Sequence, residues 1–130
     1  MKSNVPSLFP NATVAERVVS YSERHSTALS KYIIDYHDWI DKNHPQSFLM
    51  ISNFQAQYHV FLGRTIGAKR ILEVGVFVGY SSLAWAHTVG EKGTVTGLEF
   101  SPEYANQARK AFEENGVSNV EIIEGDALET

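Results

Sequence analysis

Residues 71–82 read ILEVGVFVGYSS, and the reading of this stretch decides the fold. Ile71, Leu72 and Val74 form a short apolar run with little alternation, the pattern of a parallel strand covered on both faces. Gly75 and Gly79 follow at once, and Ser81 to Val89 then has helical character until Gly90 ends it. A strand, a glycine turn and a helix in that order place a ligand at the carboxyl end of the strand. The G-x-x-x-G spacing departs from the G-x-G-x-x-G of dinucleotide binders. Glu73 widens the departure, because a carboxylate beside the turn repels a pyrophosphate and attracts a cation or an amine.

Outward from the turn, Gly93 to Glu99 reads as a second strand and Val120 to Ile123 as a third. Between them Ser101 is placed to cap a helix with Pro102 at its first position, ending near Asn115–Gly116. On the amino-terminal side, residues 1–12 hold Pro6 and Pro10 and read as an irregular arm. Thr13 and Glu16 have the form of a capping box that opens a helix from about Val14 to His25. A second helix, about Ala28 to Asn43, sets Tyr32, Ile33, Tyr36, Trp39 and Ile40 on one face and stops at Pro45. A third, about Phe54 to Ile66, carries Tyr58, Phe61, Leu62 and Ile66 on one stripe and ends at Gly67. The expected organisation is an arm (1–12), a helical segment (13–67) and an α/β segment (68–130). The last is the first half, β-α-β-α-β, of a doubly wound Rossmann-like sheet.

Three strand ends then meet along one edge. Glu99 closes the second strand 24 residues beyond Gly75, close to the ~20 expected of an acid that binds ribose hydroxyls. Its two oxygens match two vicinal hydroxyls and would reject a 2′-phosphate. At the third strand end Asp126 offers an acceptor for an adenine amino group, Ala127 leaves room for the ring, and Gly125 begins the turn. Around Glu73, a ligand with an ammonium and a sulfonium suits the field better than a nicotinamide dinucleotide does. S-adenosylmethionine (SAM) has both. Its carboxylate end would meet the backbone N–H groups from Val76 to Ser81 and the Ser81 hydroxyl.

Bulk composition excludes other classes. The chain has 130 residues, a formal net charge of −4 and scattered basic residues, which gives no footprint for nucleic acid or an anionic membrane. It has no cysteine, hence no disulfide framework or thiolate chemistry. The opening residues lack the apolar core of a signal peptide, and no uncharged run approaches the ~20 residues of a membrane span. A cytoplasmic protein is expected.

ILEVGVFVGYSSLAWA, then GLEFSPEY and EIIEGDAL, together resemble the cation-dependent O-methyltransferases that include the caffeoyl-CoA and catechol enzymes. FLMISNFQAQYHVFLGRTIGAKR resembles the segment that this family carries before its first strand. The resemblance spans roughly residues 48–128. It implies a SAM-dependent methyl transfer to a hydroxyl of a small, catechol-like phenol. It also implies that Met50 and Ile51 line the methionine end of the cofactor, and that Glu73, Gly75, Phe77, Tyr80 and Ser81 surround its amino-acid part. Glu99 would hold the ribose, Phe100 would lie against the adenine, and Gly125, Asp126 and Ala127 would close over the base. One departure is Ala56, where the family usually has glycine before the residue matching Gln57. The family's divalent cation is held by side chains at later strand ends, so no metal ligand and no catalytic residue is assigned here.

Rival readings remain. A non-catalytic truncated form would bind cofactor weakly or associate with another chain; a nucleotide-binding oxidoreductase would bind NAD. In the cluster DYHDWIDKNH, His37, Asp38 and Asp41 have helical ligand spacing, but a solvated helix face is the expected reading because one helix cannot close a coordination shell. Trp39 and Trp85 are expected as core anchors. Without the second half of the sheet, residues 71–74 would form an unprotected edge that favours homo-oligomers or other self-association.

Overall fold

The computed structural model describes residues 8–129, so most of the expected arm lies outside the described residues. Helix α1 (Ala12–His25) is capped by Asn11, whose side chain accepts from the Val14 amide at 2.9 Å. This corrects the capping box: Asn11 satisfies the orphan amide first, and Thr13 falls inside the first turn. Helix α2 (Lys31–Asn43) starts three residues later than expected, after Ser30. A 3₁₀ turn at Ser47–Leu49, not foreseen, follows Pro45. Helix α3 (Asn53–Thr65) is capped by Ser52, whose hydroxyl accepts from the Gln55 amide.

The alternating half follows as β1 (Arg70–Val74), α4 (Tyr80–Val89), β2 (Thr94–Glu99), α5 (Pro102–Glu114) and β3 (Val120–Glu124). The three strands are parallel in the order β1-β2-β3, with Glu73 opposite Gly97 and Gly97 opposite Ile122. This is the amino-terminal half of a Rossmann-like sheet. Both crossovers step the same way, and right-handed crossovers then put α4 and α5 on the same face. Under them lie Val76, Val95 and Ile122. On the other face Leu72 and Val74 are 67% and 68% exposed, beside a partly exposed Ile123. Coverage of β1 on both faces is therefore corrected to coverage on one.

The amino-terminal helices pack on α4 around Ile33, Ile40, Ala56, Val60, Val78, Tyr80 and Ala84. Helix α3 turns its small side inward: Ala56, Val60 and Gly63 are buried, and a Cβ on Gly63 would lie 2.4 Å from the Thr88 methyl on α4. Its aromatic stripe faces out, with Tyr58, Phe61, Leu62 and Ile66 all exposed. The close approach of two helix backbones selects the small residues, and the more apolar face is left over. Trp39, expected in the core, is 53% exposed and stacks on Tyr36 with ring planes 7° apart. Tyr36 is the anchor instead: its hydroxyl donates to the Val78 carbonyl at 2.6 Å, and burial, with the charge of Glu114 adding, pushes its pKa up to about 12. Among the described residues no helix is long and apolar enough to cross a membrane.

Candidate functional site

Between β1 and α4 the chain makes its turn from Gly75 to Gly79. Gly75 has φ 86°, and a Cβ there would meet nothing within 4 Å, so the backbone is open to an approaching ligand. Gly79 has φ 93° and serves packing instead, since a Cβ would lie 2.8 Å from the Phe112 ring and 2.9 Å from the Ala108 Cβ on α5. Between them Phe77 adopts φ 53°, a left-handed conformation that a bulky residue rarely takes. Glu99 secures it. Oε2 accepts from the Val76 and Phe77 amides at 2.9 and 2.8 Å, while Oε1 accepts from the Ser101 amide at 2.8 Å. The Phe77 ring is held edge-on between His44 and Tyr104, each 4.9 Å away between centroids.

A cavity of about 210 Å³ lies against this turn. Seven residues singled out by sequence line it together: Met50, Ile51, Glu73, Gly75, Phe77, Tyr80 and Ser81. The other five sit at the strand ends beyond it. Glu99 is buried beneath the turn, only 7% exposed, and Phe100 beside it is exposed. The Gly125 amide donates to the Glu99 carbonyl at 3.0 Å, tying the second and third strand ends together. Asp126 is exposed, and its Oδ1 accepts from the Leu128 amide at 2.9 Å; Ala127 is half-buried.

Glu73 gives the cavity its charge. The Ser82 hydroxyl donates to Oε2. Burial pushes the Glu73 pKa above the ordinary carboxylate value, and hydrogen bonds from Ser82, Ser81 and Trp85 pull the other way. Ser82, fully buried on α4, was not foreseen as a support for Glu73; it follows Ser81 and reaches back nine residues along the chain. Trp85, expected as a core anchor, is half-buried and stacks on His59 at 4.5 Å with planes 7° apart. His59 also lines the cavity, a placement that its spacing from other polar residues did not signal. Tyr80 is 2% exposed and donates to Asn53 Oδ1 at 2.6 Å, so much of its role is packing. Burial, with the charges of Glu23 and Asp38, raises its pKa.

The arrangement can hold a zwitterionic amino acid carrying a nucleoside. A half-buried carboxylate offers an acceptor beside an open glycine, and two further strand ends lie beyond it. The volume suits a group the size of an amino acid, since whole small-molecule pockets run to about 300–1,000 Å³. No group of three or more His, Asp or Glu side chains that could hold a metal occurs among the described residues. On α2, His37 packs edge-on to Tyr80 at 4.9 Å, and Asp35, Asp38 and Asp41 face solvent.

Fold and cavity together define the amino-terminal half of a Rossmann-like domain with a small cavity at the end of its first strand. The O-methyltransferase family model matches residues 23–130, and the chain belongs to that family. It is 36% identical over 126 residues to the O-methyltransferase ankF of Aspergillus thermomutatus, covering 94% of this chain and 52% of that protein. A caffeoyl-CoA O-methyltransferase of Stellaria longipes is 34% identical over 88 residues, covering 67% of this chain and 36% of that protein. The SAH-bound methyltransferase PaMTH1 of Podospora anserina superposes with a TM-score of 0.86 at 33% identity, covering 95% of this chain and 54% of that one. The chain thus spans about half the length, or less, of the relatives it matches.

Proposed function

We propose that this chain is the cofactor-binding part of an enzyme that passes the methyl group of SAM to a hydroxyl of a small, catechol-like phenol. The observation that carries the reading is the cavity in which Glu73, Gly75, Phe77, Tyr80 and Ser81 meet Met50 and Ile51. Glu73 accepts from the ammonium, and Met50 and Ile51 give the sulfonium end an apolar wall. With the Val76 and Phe77 amides held by Glu99, the Tyr80 and Ser81 amides at the start of α4 serve the carboxylate, joined by the Ser81 hydroxyl once the ammonium takes its place on Glu73. The lone pair left on Glu99 Oε1 takes one ribose hydroxyl. Phe100 offers a face to the adenine, with Gly125, Asp126 and Ala127 around its edge.

When bound, the cofactor supplies an electrophilic methyl group; this chain's residues bind and orient it and exclude water from its amino-acid end. A divalent cation of the Mg²⁺ type belongs to the reading by family, its ligands lying outside the residues assigned here. We place the protein in the cytoplasm, with no nucleic-acid or membrane partner. Residues 13–67 form the helical cover and 68–130 the cofactor half.

A second reading is favoured by the open sheet face. Leu72 and Val74 on an edge strand suit pairing with another chain, and a non-catalytic form that associates in this way fits the same observation. Calorimetric titration of the purified chain with SAM and with NADH separates the possibilities. SAM binding alone is expected. NADH binding in its place would overturn the methyltransferase reading, and binding of neither would favour the associating form.

A further inference from the structure

His59 is a cavity residue whose chemistry the proposed function leaves unused. Its ring is held in one orientation by the Trp85 indole, 4.5 Å away and nearly parallel, and the Trp85 side chain in turn hydrogen-bonds Glu73. Nδ1 is sealed from solvent and has no hydrogen-bond partner. Burial lowers the pKa of the imidazole, which favours the neutral ring with one donor and one acceptor. An orphaned buried N–H is the costlier defect, so the proton belongs on Nε2, the nitrogen that is not sealed off.

A bound amino-acid group brings two charges into this space. Glu73 answers the ammonium. The carboxylate calls for several donors with charge-assisted geometry; Ser81 and the first amides of α4 approach it from one side, and the side chains of Leu49, Met50 and Ile51 on the wall add none. We infer that His59 donates its Nε2–H to the α-carboxylate of the methyl donor, making it a binding residue that discriminates for the amino-acid end of the cofactor. The inference rests on the SAM reading above.

The test compares the wild-type chain with His59→Leu and His59→Gln by calorimetry against two ligands. One is SAM; the other is 5′-methylthioadenosine, which keeps the nucleoside and thioether but has no amino-acid group. His59→Leu should weaken SAM about tenfold and leave 5′-methylthioadenosine unchanged. His59→Gln, whose amide nitrogen falls near the Nε2 position, should recover most of the loss although it lacks the stacking ring. Equal SAM affinity in wild type and Leu variant would overturn the inference, as would an equal loss for both ligands or a Gln variant no better than Leu. If the wild type binds neither ligand, the SAM reading itself falls and takes this one with it.

Discussion

The Glu99 carboxylate accepts the amide hydrogen of Phe77 at 2.8 Å and holds that residue at φ 53°. An acid at the end of the second strand thus shapes the turn after the first strand before any ligand arrives. A left-handed bulky residue costs about 1–3 kcal/mol, and hydrogen bonds to a buried charge offset a penalty of that size.

Glu99→Gln keeps the shape and removes the charge. It should lower the thermal midpoint of the free chain and weaken SAM by about 1–3 kcal/mol. Scanning calorimetry and titration of the same samples read the two effects. A variant with an unchanged midpoint but weaker SAM binding would confine Glu99 to the ribose; the reverse pattern would confine it to the turn.

The two glycines of the turn should part company on substitution. Gly79→Ala drives a methyl group against Ala108 and Phe112 at 2.8–2.9 Å and adds left-handed strain, so a loss of roughly 2–4 kcal/mol in denaturant unfolding is expected. Gly75→Ala meets no atom within 4 Å and should cost only the conformational strain, about 1–2 kcal/mol, while placing a methyl where the ligand must approach. A folded Gly75→Ala chain that binds SAM normally would show that the open side of Gly75 is not the ligand's side.

Burial holds the Glu73 pKa above its ordinary value of 4.5, and two measurements should then move in opposite directions. The folded chain keeps this proton to higher pH than the unfolded chain does, so stability falls as pH rises through the raised pKa. Cofactor binding needs the ionised acid, so SAM affinity falls as pH drops through the same range. Glu73→Gln should remove both slopes in melts and titrations run from pH 4 to 8. A slope that survives the substitution belongs to another group, with His59 the nearest titrating candidate in the cavity wall.

The fold was legible where local rules act alone. Apolar runs at Ile71 and Val120, glycines after them, and Ser101–Pro102 at a helix start each specify an element without help from distant residues. Helix α3 shows where that stops. Periodicity identified Tyr58, Phe61, Leu62 and Ile66 as one face, but the choice of buried face depends on how closely Gly63 approaches Thr88 across two helices, which no spacing within one helix encodes. The site divides in the same way. Strand-end residues could be named from topology, whereas Ser82 and Trp85 reach Glu73 from α4 and His59 reaches the cavity wall through the packing of α3 on α4. A stability comparison checks this: Val60→Ala should cost about 2 kcal/mol, and Phe61→Ser on the exposed stripe within about 0.5 kcal/mol of nothing.

The open face of the sheet makes a demand of its own. Leu72 and Val74 expose most of their side chains on a strand whose outer edge has no partner among the described residues, and Arg70 is the basic residue at its start. Natural edges avoid pairing by carrying exposed lysines, prolines or bulges. Among the described residues β1 has no proline and no bulge in its register with β2, and Glu73 points to the covered face, where Ser82 holds it. The 130-residue chain should therefore self-associate at micromolar concentrations. Val74→Lys places a charge on the open face, away from the residues packed under α4, and should shift sedimentation velocity profiles toward the monomer with little change in helical circular dichroism. A wild-type chain that sediments as a monodisperse monomer and melts cooperatively would show that the uncovered face does not drive association.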